Sequence, residues 1–169
     1  VEEIDEIIAA TLGKYGLPDS IPLVVFGRSM GGVGATNFIR FSRYKDRVKG
    51  CAMNSPVTDL EYHSTERPDC AATIYRAYSY YDIPIELAVE IHSPVNFIDE
   101  MPDIPYLIVH GDADKAVNKG AHSDKYVPAM RAKGYNVTYV EVAGMEHVDL
   151  AGNPEARKLY LDFIASFAK

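Results

Sequence analysis

The chain has 169 residues, 47% of them apolar and 24% charged, with a formal net charge of −7. That length supports one domain with a real core, and the composition is globular rather than disordered. Acidic residues spread along the chain argue against nucleic acid or an anionic membrane surface as partners, and no apolar run approaches the roughly 20 residues that span a bilayer.

In chain order, Val1, Ile4, Ile7, Ile8 and Leu12 recur at helical spacing, with acidic residues in the first turn where the helix dipole favours them. This charged amphipathic opening is not a signal peptide, and without an initiating Met we expect that something upstream has been removed or left out. Gly13, Gly16 and Pro18 end the helix. The run Ile21 to Phe26 is apolar without alternation, the pattern of a strand covered on both faces in a parallel sheet. After a glycine turn, Val33, Phe38, Ile39 and Phe41 predict a helix ending near Tyr44. Further strands are expected at 48–53, 105–110 and 137–142. A helix is expected at 119–133, with Pro128 kinking it or marking its true start. Ala156, Leu159, Tyr160, Phe163, Ile164 and Phe167 form the apolar stripe of a last helix opened by Pro154. Strands alternating with helices predict a mostly parallel α/β sheet with flanking helices.

Residues 60–100 break this rhythm. They hold no convincing strand and are rich in tyrosine, with two short helical pieces in 73–94. They read either as an insert lying over the strand ends or as a peripheral helical pair. Cys51 lies in an apolar run and reads as a core residue, and two cysteines make no disulfide framework. A reducing, cytoplasmic setting is the default they suggest.

Gly27-Arg28-Ser29-Met30-Gly31 fits G-x-S-x-G between a predicted strand and a predicted helix. Three readings compete: a nucleophile, a phosphate-cradling loop and a plain tight turn. The phosphate loop fails, because there is no G-x-x-x-x-G-K-[ST] and no third glycine of a dinucleotide fingerprint after Gly34. In the nucleophile reading a sharp strand-to-helix reversal strains the serine, and side chains at the flanking glycines would clash with neighbouring elements. The reversal exposes Ser29 Oγ at the carboxyl end of the sheet. A serine needs a base, and the base an orienting group. Of five histidines, His110 closes a strand and reads as structural, while His63, His92 and His122 are expected to be exposed. His147 follows the last strand, at the sheet end where Ser29 emerges, and is the candidate base. Asp112 and Asp114 follow the strand at 105–110; either offers the acid, and either could serve only as a turn or cap residue.

Three segments, "GRSMGG", "IPYLIVHGDADKAV" and "VAGMEH", together resemble the carboxyl-terminal half of α/β hydrolases, in the serine esterase and prolyl-oligopeptidase-like branch. The resemblance implies that Asp114, fifth in H-G-x-x-D-x-x-V, is the triad acid, with Asp112 a neighbouring turn residue. It implies the order Ser29, Asp114, His147 and an oxyanion donor in the backbone N–H of Met30. Against that fold the chain starts at the helix before the fifth strand, so the first four strands are missing, and with them half of the oxyanion hole. Losing one such donor costs roughly 2.7–4 kcal/mol of transition-state stabilisation. We therefore expect one partial α/β-hydrolase-like domain over 1–169 with a helical insert at about 60–100. Either self-association or an amino-terminal segment would cover the edge of strand 21–26.

The implied reaction is cleavage of a small-molecule carboxylic ester through an acyl-enzyme. The alternatives are a prolyl-oligopeptidase-like peptidase and a non-catalytic fragment serving as an interaction module. Tyr75, Tyr78, Tyr80 and Tyr81 are candidates to line the substrate pocket. No metal or organic cofactor is expected, since there is no HExxH and no paired CxxC.

Overall fold

The computed structural model describes residues 1–147 and 152–168. The apolar runs between glycine and proline breaks become strands β1 (Leu23–Arg28), β2 (Val48–Asn54), β3 (Tyr106–Gly111) and β4 (Val137–Val142). They form one parallel sheet in the order β1-β2-β3-β4, so each crossover adds the next strand on the same side. The helices are α1 (Glu2–Tyr15), α2 (Gly31–Phe41), α3 (Leu60–Glu66), α4 (Pro68–Tyr78), α5 (Ile85–His92), α6 (Ser123–Ala132) and α7 (Pro154–Ala165).

Alternation along the central strands sorts side chains to two faces. Cys51, Met53, Tyr106 and Ile108 pack with Phe38 and Ile39 of α2 and Tyr126, Val127 and Met130 of α6. Ala52, Leu107 and Val109 point the other way, against Ala156 and Tyr160 of α7. β3, paired on both sides and covered on both faces, is buried at every residue. β1 pairs only with β2 among the described residues, and Phe26 on it is 46% exposed. Ile4 and Ile7 of α1 are also exposed, so half of that helix's apolar stripe meets no core.

Several boundaries differ from expectation. β1 begins two residues later than the apolar run and continues through Gly27 to Arg28, because the ladder with β2 persists to Asn54. α2 stops at Phe41, and Ser42 is already extended. Pro128 stands inside α6, five residues after its start. The two helical pieces expected in 73–94 are the end of α4 and α5, and a helix that is not expected precedes them at Leu60–Glu66. The additional one, α3, is capped by Asp59, whose Oδ1 accepts the Tyr62 N–H at 2.9 Å. A third apolar cluster joins these helices (Leu60, Ile74 and Val89) to Val33, Val57 and Val117 at the carboxyl end of the sheet.

Candidate active site

Ser29 sits between β1 and α2 with φ 55, in the left-handed region that non-glycine residues rarely adopt. Backbone bonds fix it there. Its N–H donates to Asn54 O at 3.0 Å, while its carbonyl accepts from Gly32 N (2.8 Å) and Val57 N (3.0 Å). The glycines around it differ in what demands them. A Cβ on Gly27 would stand 2.1 Å from Gly31 O, and one on Gly32 would stand 2.6 Å from Pro56 Cβ. Gly31 has nothing within 4 Å of such an atom, so the expected clash on both flanks holds at Gly27 only. Met30 caps α2, where the first N–H groups lack intrahelical partners.

Asp114 follows β3 and its side chain is fully buried. Oδ1 accepts the N–H groups of Ala116 (2.9 Å) and Val117 (3.0 Å), which folds the loop around the carboxylate. Oδ2 lies 2.8 Å from His147 Nδ1 and 3.4 Å from His110 Nε2. Burial would push this carboxyl up; hydrogen bonds from His110, His147 and the Val117 N–H outweigh it and hold the group well below the usual carboxylate range. Asp114 is therefore an anion that fixes His147 with its proton on Nδ1 and leaves Nε2 as an acceptor. No hydrogen bond joins Ser29 Oγ to His147 among the described residues. Such contacts often tighten only once substrate is bound.

Close backbone approach brings the acid and histidine segments together. A Cβ on Gly111 would fall 1.8 Å from Met145 O, so only glycine lets the end of β3 pass beneath the turn after β4. Asp112 ties the same two segments, its Oδ1 accepting the Gly144 N–H at 2.6 Å and its own N–H donating to Val142 O at 3.3 Å. The turn place that the resemblance implies for Asp112 and the structural place expected of His110 both fit this arrangement. The reach of His110 to the Asp114 carboxylate is a feature of the fold beyond those expectations. The polar ring in the otherwise apolar run "YLIVHG" was the signal for it.

The other three histidines correct the expectation of exposure, since all are buried. His63 and His122 both meet Glu66. His92 stacks on Tyr78 at 5.0 Å and tilts against Tyr81 at 4.9 Å, and burial, aided by the Arg40 charge, lowers its pKa. A cavity of about 270 Å³ beside the serine turn is lined by Met30, Val33, Phe41, Tyr78, Tyr81 and His92, among others. Tyr75 and Tyr80 do not line it, and Tyr80 is 80% exposed. A second cavity of about 260 Å³ lies against His147, Arg67 and Ala116.

With this geometry in hand, the comparisons with known proteins agree on one architecture. The model of the prolyl oligopeptidase family matches residues 2–169. No curated protein matches the chain. Among solved structures it is similar to an acylaminoacyl peptidase in complex with Z-Gly-Gly-Phe-chloromethyl ketone, with a TM-score of 0.72 at 18% identity over 96% of this chain and 26% of that one. It is similar to esterase B from Lactobacillus rhamnosis, with a TM-score of 0.70 at 16% identity over 98% and 59% of the two chains. A puromycin-hydrolyzing peptidase of Mycobacterium tuberculosis gives 0.66 at 24% identity over 83% and 20%. The fold is that of α/β hydrolases, and the chain spans less than two thirds of each of these proteins.

Proposed function

The chain belongs to the prolyl oligopeptidase family, and on that footing we propose that it carries the catalytic group of a serine hydrolase that cleaves carboxylic esters through an acyl-enzyme. One observation carries the reading. A buried, anionic Asp114 holds His147 by Nδ1 at 2.8 Å, at the sheet end where Ser29 is bent into the left-handed region.

In this mechanism Ser29 Oγ attacks the ester carbonyl carbon while His147 Nε2 takes the hydroxyl proton. The imidazolium that forms is stabilised by the Asp114 carboxylate, which stays ionised throughout. The carbonyl electron pair moves onto oxygen, and the Met30 N–H at the start of α2 donates to that oxyanion. Collapse expels the alcohol, which leaves with the proton from His147. Water, deprotonated by the same nitrogen, then releases the acid and restores Ser29. Tyr78 and Tyr81 share a cavity with Met30, the residue after the nucleophile, which supports a part for them in lining the substrate pocket.

Peptide hydrolysis is the second reading, favoured by the family's name and by the likeness to an acylaminoacyl peptidase. The two are separated by kcat/KM on an N-acyl amino-acid ester and the matching amide. An ester hydrolase turns over the ester and leaves the amide intact, whereas comparable turnover of both assigns peptidase activity.

A further inference from the structure

Outside the Ser29, Asp114 and His147 group, three side chains converge on one carboxylate. Oε1 of Glu66, the last residue of α3, lies 2.8 Å from His63 Nδ1 and 2.8 Å from His122 Nε2. Its other oxygen, Oε2, accepts the N–H of Asn118 at 3.0 Å. The His122 side chain is fully buried and that of Glu66 is 13% exposed.

Two histidines and a carboxylate within ligand reach of one another invite a metal reading. The placement of protons argues against it. Thr58 N–H donates to His122 Nδ1 at 3.1 Å, so that nitrogen presents a lone pair. The neutral ring therefore carries its proton on Nε2, the atom facing Glu66. A histidine that binds metal usually donates through its other nitrogen; here the other nitrogen accepts. A metal on Nε2 would force a proton onto Nδ1, against the Thr58 N–H. The cluster is a hydrogen-bonded clamp: one carboxylate gathers N–H donors from α3, from the cap of α6 and from the loop after β3.

That loop is the one bearing Asp114. On its inner side His110 Nε2 donates to Val117 O at 3.1 Å, and Asp114 Oδ1 holds Ala116 and Val117. On its outer side Glu66 grips Asn118, four residues beyond Asp114. Asn118 in turn accepts from Ala121 N through Oδ1 (3.1 Å) and from His122 N through its carbonyl (3.0 Å). The acid loop is thus held between the sheet and a helix of the 60–100 stretch.

We propose that Glu66 is a positioning residue that sets the place of Asp114, and through it the tautomer of His147, by anchoring Asn118. The consequence for catalysis rests on the hydrolase reading, while the tautomer does not. Glu66→Gln keeps the shape but turns an acceptor into a donor, and Glu66→Asp keeps the charge but falls short of Asn118. The ring ¹⁵N shifts of His147 at pH 7 read which nitrogen holds the proton, and the second-order rate of fluorophosphonate labelling reads the serine. Wild type is expected to hold the proton on Nδ1. In both variants the ring should become a mixture of tautomers and labelling should slow by between tenfold and a hundredfold. Leu12→Ala in α1, which lowers stability far from the loop, should change neither readout. Folded Glu66 variants that keep the Nδ1–H tautomer overturn the proposal. So does an equal response in Leu12→Ala, or stoichiometric zinc binding by wild type that Glu66→Gln abolishes. A wild-type protein with the Nδ1–H tautomer that never labels overturns the hydrolase reading instead, and the ¹⁵N shifts of the variants then decide the role of Glu66.

Discussion

His110 and His147 approach the same atom, Oδ2 of Asp114, at 3.4 and 2.8 Å. His110 also lies 3.1 Å from Val117 O and, through Nδ1, 2.7 Å from Ser123 Oγ. A carbonyl can only accept, so His110 Nε2 carries a proton that Val117 O and Asp114 share, and Nδ1 accepts the Ser123 hydroxyl. A buried carboxylate is costly unless donors surround it. Here two imidazoles and two backbone N–H groups supply them, leaving His147 a fixed anion to lean on. In Asp114→Asn the amide can turn its NH₂ toward His147 and select the other tautomer. Steady-state ester hydrolysis should then show kcat reduced by about 10⁴-fold.

The same hydrogen bonds make stability depend on pH in two stages. His122 and His92 have pKa values lowered mainly by burial. Below the unfolded histidine value of about 6.5 the unfolded chain takes up protons that the folded one refuses, so stability falls. Asp114 and Glu66 are also lowered, since hydrogen bonds outweigh burial at both. Their contribution is complete above the unfolded carboxyl values of about 4 and is lost as pH falls below them. Urea unfolding midpoints should be level above about pH 7, decline gently below about 6.5 and fall again below about 4. In Asp114→Asn the lower step should shrink while the upper one is unchanged.

Two glycines near the site make opposite demands. Gly111→Ala drives a Cβ into the Met145 carbonyl, two residues before His147, and should cost about 3 kcal/mol in thermal unfolding. Gly31→Ala meets open space at the start of α2 and should change stability by no more than about 0.5 kcal/mol. Equal losses at the two positions would contradict the close approach of β3 to the histidine turn.

What the sequence made legible was local. The turn around Ser29 is written in contiguous glycines, and β4 was read to its observed ends at Val137 and Val142 because turn residues bound it. The strand alternation that places Asp114 and His147 at one end of the sheet follows from the same punctuation. For the opposite reason, the burial of His63, His92 and His122 is not legible in the sequence. Whether a polar ring can be buried depends on its partners, and Glu66 meets His122 across 56 residues of chain. His92 owes its burial to Tyr78, Tyr81 and Phe41, which α2 and α4 bring to it only after folding. α3 could have been found, since Asp59 three residues before Tyr62 is an ordinary helix cap.

The most direct test of the account is covalent labelling by a fluorophosphonate, with Ser29→Ala as the control. The probe needs a serine oxygen made nucleophilic by a base, so it asks whether Ser29, His147 and Asp114 act as one group without assuming a substrate. The account predicts stoichiometric labelling that maps to Ser29 and is absent from Ser29→Ala. A folded wild-type protein that takes up no label, or one labelled equally in the variant, would contradict it.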